Sequence, residues 1–323
     1  MWPLFPLREE TRGDTWVPPY KRNSMTEKTS FQYLDFDTLA RIDSMSLLAR
    51  TVVEGFVMGL HRSPFRGFSV EFAEYRQYSP GDDVRHVDWK VYGKSDRFYV
   101  KQYEEETNLS CHVLLDCSAS MGYGSGKLTK LQYGCYLAAS LAYFMMQQRD
   151  ATGLVLFDEK IRLMLPPRSR PAHLHLLLSS LEGQKAGHGT NIAAPLHEMA
   201  EGIKRRGLMV LISDLYDEPR RVLDALQHFK FQGSDLIVFQ IADEAELKFP
   251  FERMTEFVDP ETQESVTLTG EAVRKAYMEE KDRFFAEYRR GCADLKIDYH
   301  LFDTSMPLEL ALSEYLYRRS RSY

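Results

Sequence analysis

His112-Val113-Leu114-Leu115-Asp116-Cys117-Ser118-Ala119-Ser120-Met121-Gly122 is the stretch on which the fold turns. His112–Leu115 reads as a short apolar strand, and Asp-x-Ser-x-Ser follows at its carboxyl end. In a doubly wound sheet, ligands bind outside the carboxyl ends of the strands, near the point where strand order reverses. The alternating spacing sets oxygens of Asp116, Ser118 and Ser120 on one side of the loop and turns Cys117 and Ala119 the other way.

Downstream, strands and helices alternate. Helical patterning covers 127–148, 171–181, 193–204 and 220–231, and apolar strands are predicted at 153–157, 161–165, 208–212 and 235–241. Asp158-Glu159-Lys160 reads as a hairpin turn between two of these strands. Such alternation predicts an α/β fold, a doubly wound, mostly parallel sheet with helices on both faces. An insertion at about 248–268 carries a small β-hairpin, Thr255–Asp259 and Glu264–Leu268 around Pro260-Glu261-Thr262. A long charged helix (271–290), a last strand (296–302) and a closing helix (308–317) complete the pattern.

Upstream the pattern is different. Residues 1–24 hold Pro3, Pro6, Pro18 and Pro19 without periodicity and read as a disordered lead-in, with Met25 as an alternative start. Residues 25–108 form a separate N-terminal block. Its amphipathic helical pattern runs from Asp37 to Gly59, and charged and aromatic residues interleave from Arg66 to Glu106. Residues 109–323 make up the sheet domain.

Composition narrows the function. Of 323 residues, 44% are hydrophobic and 27% charged, enough apolar material for a sizeable core, and the net charge of −6 argues against nucleic acid as a partner. No apolar run reaches the roughly 18 residues of a membrane span. Cys111, Cys117, Cys135 and Cys292 form no CxxC pair and read as reduced thiols of a cytoplasmic protein. The histidines lack metal-ligand spacing, and neither a P-loop nor a dinucleotide fingerprint is present.

Two more segments join Asp116. Gly187-His188-Gly189-Thr190-Asn191 is a glycine-flanked turn before a helix, and Leu211-Ile212-Ser213-Asp214-Leu215 sets Asp214 at the end of another apolar strand. Asp116, Ser118, Ser120, Thr190 and Asp214 thus offer three hydroxyls and two carboxylates, hard oxygen donors suited to Mg²⁺ or Mn²⁺. The plainer reading is that these hydroxyls cap helices, Thr190 above all.

These five positions resemble the metal-ion-dependent adhesion site (MIDAS) of von Willebrand factor A domains. The resemblance implies that the two serines and the threonine face the metal while the aspartates act through water, and that the hairpin at Asp158 supplies one antiparallel edge strand. The upstream block resembles the domain-of-unknown-function family 58, which couples it to a von Willebrand A-like domain. That likeness is carried by Gly67 to Tyr78, Pro80-Gly81-Asp82-Asp83-Val84-Arg85, Asp88-Trp89 and Tyr103-Glu104-Glu105-Glu106. It implies a non-enzymatic, metal-dependent protein-binding module. Such a module takes an acidic side chain from its partner and works with a MoxR-type AAA+ ATPase in assembly or maturation of complexes. The alternative is a nuclease-like metal-dependent hydrolase using Asp82, Asp83, Asp88 and Lys90, although their spacing is tight for that chemistry.

Overall fold

The computed structural model describes residues 44–62, 75–77, 99–101, 110–187, 189, 191–203, 206–259, 264–310 and 312–313. The lead-in, nearly all of the Arg66–Glu106 block, and half of the closing helix therefore lie outside the described residues.

Helix α1 (Met45–Arg62) comes first, followed by the short antiparallel pair β1 (Tyr75–Gln77) and β2 (Tyr99–Lys101). The sheet domain then runs β3 (Ser110–Asp116), α2 (Lys130–Gln147), β4 (Ala151–Phe157), β5 (Ile161–Arg168), α3 (Pro171–Leu181) and α4 (Ala193–Gly202). It continues through β6 (Leu208–Ser213), α5 (Pro219–Phe231), β7 (Asp235–Ala242), α6 (Glu244–Lys248), β8 (Met254–Val258), β9 (Ser265–Thr269), α7 (Gly270–Asp294) and β10 (Asp298–Asp303).

Six strands form one sheet in the order β10-β7-β6-β3-β4-β5. All neighbours are parallel except β4 and β5, whose antiparallel pairing follows from the tight turn at Asp158–Lys160. The expected architecture, including the antiparallel edge strand, is thus the observed one. Every residue of β6 is buried, as are all but the first of β3 and β4, which is why these strands read as unbroken apolar runs. On β5 half-buried and exposed residues alternate, as suits an edge strand.

Side-chain alternation divides β3 between two cores. Val113 and Leu115 pack with Leu137, Leu141 and Phe144 of α2 and with Leu48, Val52 and Val53 of α1. Leu114 faces Leu196 of α4 and Val222, Leu226 and Phe229 of α5. A third, smaller cluster of Phe249, Phe251 and Phe257, with Tyr277 of α7 against it, seats the β8–β9 hairpin. All four cysteines are buried and outside any disulfide.

Helix α2 starts three residues later than its periodicity implies. Thr129 accepts a hydrogen bond from the Gln132 amide (3.2 Å) and donates its own amide to Gln132 Oε1 (3.0 Å), a capping box that fixes the first turn. Gly134 lets this helix lie close on the sheet, since a Cβ there would come within 2.9 Å of Leu115 Cδ1. Helix α6 was not foreseen, although Asp243-Glu244-Ala245-Glu246 carries a capping-box pattern of its own. No helix among the described residues is long and apolar enough to cross a membrane.

Candidate functional site

The chain leaves β3 for β4 and β5 on one side and returns across the sheet to β6 on the other. The carboxyl ends of β3 and β6 therefore sit side by side, in register as Leu115 opposite Ile212, where strand order reverses. Asp116 and the Ser213-Asp214 pair meet there.

Asp116 is fully buried. Its Oδ1 accepts the Ser118 amide at 2.8 Å, which folds the Asp-x-Ser turn, and its Oδ2 accepts Ser213 Oγ at 2.6 Å. The Ser118 and Ser120 hydroxyls are 3.0 Å apart, so both project to the same side. Cys117 directs its thiol into the apolar cluster, while its amide bonds Phe157 O and its carbonyl accepts the Gly187 amide, each at 2.7 Å. Burial pushes that thiol well above the ordinary range, which makes it an inert thiol.

Ser213 was not among the expected residues. It donates to Asp116 and accepts the Leu215 amide at 2.9 Å, joining the two strand ends. Leu215 turns the chain with φ of 60°, a conformation that costs a leucine energy and is held by Tyr288 Oη donating to its carbonyl at 2.9 Å. Asp214 Oδ1 accepts the Tyr216 amide at 3.2 Å, and the Asp214 carbonyl accepts Gln240 Nε2 at 2.8 Å.

Lys130, at the first position of α2, is the largest addition to the site. Its Nζ donates to Asp214 Oδ2 and to Glu246 Oε1, both at 2.7 Å, and lies 4.5 Å from the centre of the Tyr216 ring. All three charged side chains are inaccessible, at 0–1% exposure. A cation at a helix N-terminus opposes the helix dipole, so its presence there calls for partners. Those partners set its state: burial alone would lower the lysine pKa, but the two carboxylates outweigh it and the net shift is upward.

Thr190 lies outside the described residues, and so do His188, Asp82, Asp83, Asp88 and Lys90. The chain flanking Thr190 is tied down on both sides. A Cβ on Gly187 would fall 2.0 Å from an Arg162 nitrogen and one on Gly189 1.9 Å from Glu159 Oε1, so the β4–β5 turn rests directly on these glycines. Asp217 Oδ2 accepts the Ile192 and Ala193 amides at 2.9 and 3.3 Å, joining this segment to the loop after Asp214.

The electrostatics of the buried set favour a cation. Burial and then the charge of Asp214 raise the Asp116 pKa to about 7, against the opposing hydrogen bonds from Ser213 and Ser118. Glu246 is also raised by burial, with Lys130 pulling the other way. With all three ionised, one ammonium against the carboxylates of Asp116, Asp214 and Glu246 leaves two negative charges, and Asp116 has no cationic partner among the described residues. Lys130 and Glu246 therefore both enter the charge balance of the site. Among the described residues no three His, Cys, Asp or Glu side chains are grouped to hold an ion by themselves. The donors brought together are instead carboxylate and serine oxygens, the hard set that Mg²⁺ or Mn²⁺ takes.

Strand order and pairing define a doubly wound, mostly parallel α/β domain with one antiparallel edge strand and an Asp-x-Ser-x-Ser turn at its switch point. Residues 74–285 match the family described as Protein of unknown function DUF58, and the chain belongs to that family. The uncharacterized protein Rv1480 of Mycobacterium tuberculosis is 26% identical over 178 residues, 54% of this chain and 56% of that protein. A second match of the same extent is the uncharacterized protein Mb1516 of Mycobacterium bovis. The chain therefore spans about half the length of these curated relatives.

Among solved structures, an aerotolerance-related membrane protein from Bacteroides fragilis matches with 18% identity and a TM-score of 0.43, covering 63% of this chain and 96% of that one. BatB from Bacteroides thetaiotaomicron matches with 15% identity and a TM-score of 0.42, covering 65% and 98%. Both scores are low, so the fold assignment rests on this chain's own strand order.

Proposed function

We propose that the chain is a metal-dependent protein-binding module whose cation is Mg²⁺ or Mn²⁺ at Asp116, Ser118, Ser120, Thr190 and Asp214. The observation that carries the reading is the fully buried Asp116, held beside Asp214 and two converging serine hydroxyls without a cation of its own. The bound ion would supply a Lewis-acid centre for one oxygen ligand from outside. Lys130 leaves Asp214 little free charge to give, so that centre keeps affinity for an acidic side chain of a partner protein. The rigid strand ends supply the pre-organisation such a site needs.

A MoxR-type AAA+ ATPase is the proposed partner, by family resemblance. The test is binding of such a purified ATPase to the full chain in Mg²⁺ and in EDTA. Binding present in Mg²⁺, lost in EDTA and reduced at least about tenfold by Ser118→Ala is the expected result. Binding indifferent to both Mg²⁺ and Ser118 would refute the metal-dependent reading.

A further inference from the structure

The buried charges do not stop at the cation site. Glu246, which shares Lys130 with Asp214, lies in α6, the element that leads into the β8–β9 hairpin. Its other oxygen accepts the Asp243 amide at 2.8 Å, so the same carboxylate pairs the lysine and caps the helix. Asp243 returns the connection: it accepts the Ser125 amide at 3.0 Å and the Ser125 hydroxyl, in the segment directly after the Asp-x-Ser-x-Ser turn, and Thr304 Oγ1 at 3.2 Å. Beyond α6, Tyr277 Oη donates to Glu246 O at 3.1 Å and Lys281 Nζ to Leu247 O at 2.7 Å. Phe249 then enters the aromatic cluster under the hairpin.

From these contacts we infer that Lys130 and Glu246 are positioning residues that couple the cation site to the 244–258 segment. The inference rests on the metal reading above. A single ammonium is divided between two carboxylates, and Asp214 alone belongs to the cation site. An ion arriving at Asp116 and Asp214 draws on the charge of Asp214 and leaves more of the ammonium to Glu246, which tightens α6 on the sheet. By reciprocity, whatever loosens Glu246 weakens the ion. The insertion would then be read by a partner in one state when the ion is bound and in another when it is not.

Glu246→Gln tests this, because glutamine also serves as the third residue of a capping box, while its one amide oxygen can accept from the Asp243 amide or from Lys130 but not from both, so the carboxylate's hold on the ammonium is lost. Mg²⁺ titration calorimetry and amide hydrogen exchange are run on the full chain, wild type and variant. In wild type, Mg²⁺ is expected to slow exchange across 244–258 as well as at 116–122 and 213–217. In the variant, affinity for Mg²⁺ falls about 5–10-fold, the low end of typical coupling, and protection at 244–258 disappears. Equal affinity in the two proteins, with protection confined to 116–122 and 213–217, would overturn the coupling and leave the metal reading intact. No Mg²⁺ binding by wild type would overturn both.

Discussion

Replacing Lys130 with methionine is expected to lower stability by about 3–5 kcal/mol, the usual cost of removing one partner from a buried charge cluster. Methionine fills much of the same space, so the loss is electrostatic: Asp214 and Glu246, both inaccessible, each lose a 2.7 Å ammonium contact. For a domain of this size that corresponds to about 6–20 °C in melting temperature, at roughly 2–4 °C per kcal/mol. Glu246→Gln is the comparison, since it leaves Lys130 paired with Asp214 and should cost far less. Urea unfolding at pH 8 reads both. A loss below about 1 kcal/mol for Lys130→Met, the scale of an exposed ion pair, would mean that the ammonium is solvated rather than enclosed.

Asp116→Asn is expected to act in two opposite directions. It removes Mg²⁺ binding, by about 100-fold or more, and it stabilises the protein in EDTA at pH 8 by up to about 4 kcal/mol, given about 1.4 kcal/mol for each unit of pKa shift. The sign follows from linkage. The folded-state pKa of Asp116 is raised to about 7 from 3.8, so above pH 7 the carboxyl is ionised in both states and only the folded one carries the cost. Below pH 7 the folded carboxyl takes up a proton, and the advantage of the asparagine shrinks towards zero near pH 4. Taking the difference between variant and wild type matters, because burial lowers His112 to about 4 and imposes the opposite slope on both proteins. An asparagine variant that is less stable than wild type in EDTA at pH 8 would show that Asp116 serves the fold and carries no stored charge for an ion. Sites that give up stability for binding are expected to show this trade.

The sheet was legible because its strands are buried on both faces and separated by helices with clear signals. Pro171 begins α3 as a first-turn proline does, and the apolar run at Leu208 stops at Ser213, one residue beyond the predicted end. The Asp116 turn was legible because the spacing of its oxygen-bearing side chains is local. Lys130 was not, since its partners are 84 and 116 residues away and only the fold brings them to one point. A partial signal existed: Lys130, Gly134, Leu137 and Leu141 share the buried stripe of α2, where an unpaired lysine has no place. Ser213 was passed over because a serine at a strand end usually turns the chain, and here it also joins two strands. Helix α6 falls between the strand predicted at 235–241 and the insertion predicted at about 248–268, a stretch too short for a helical period to show, although its capping box was in plain view.

Calorimetric titration of Mg²⁺ and Mn²⁺ into wild type and into Asp116→Ala/Ser118→Ala at pH 8 tests the central claim most directly. The account predicts a one-site isotherm for wild type and none for the double variant. Equal heats in the two proteins, or no binding by wild type, would contradict it and leave the strand-end hydroxyls as helix and turn caps.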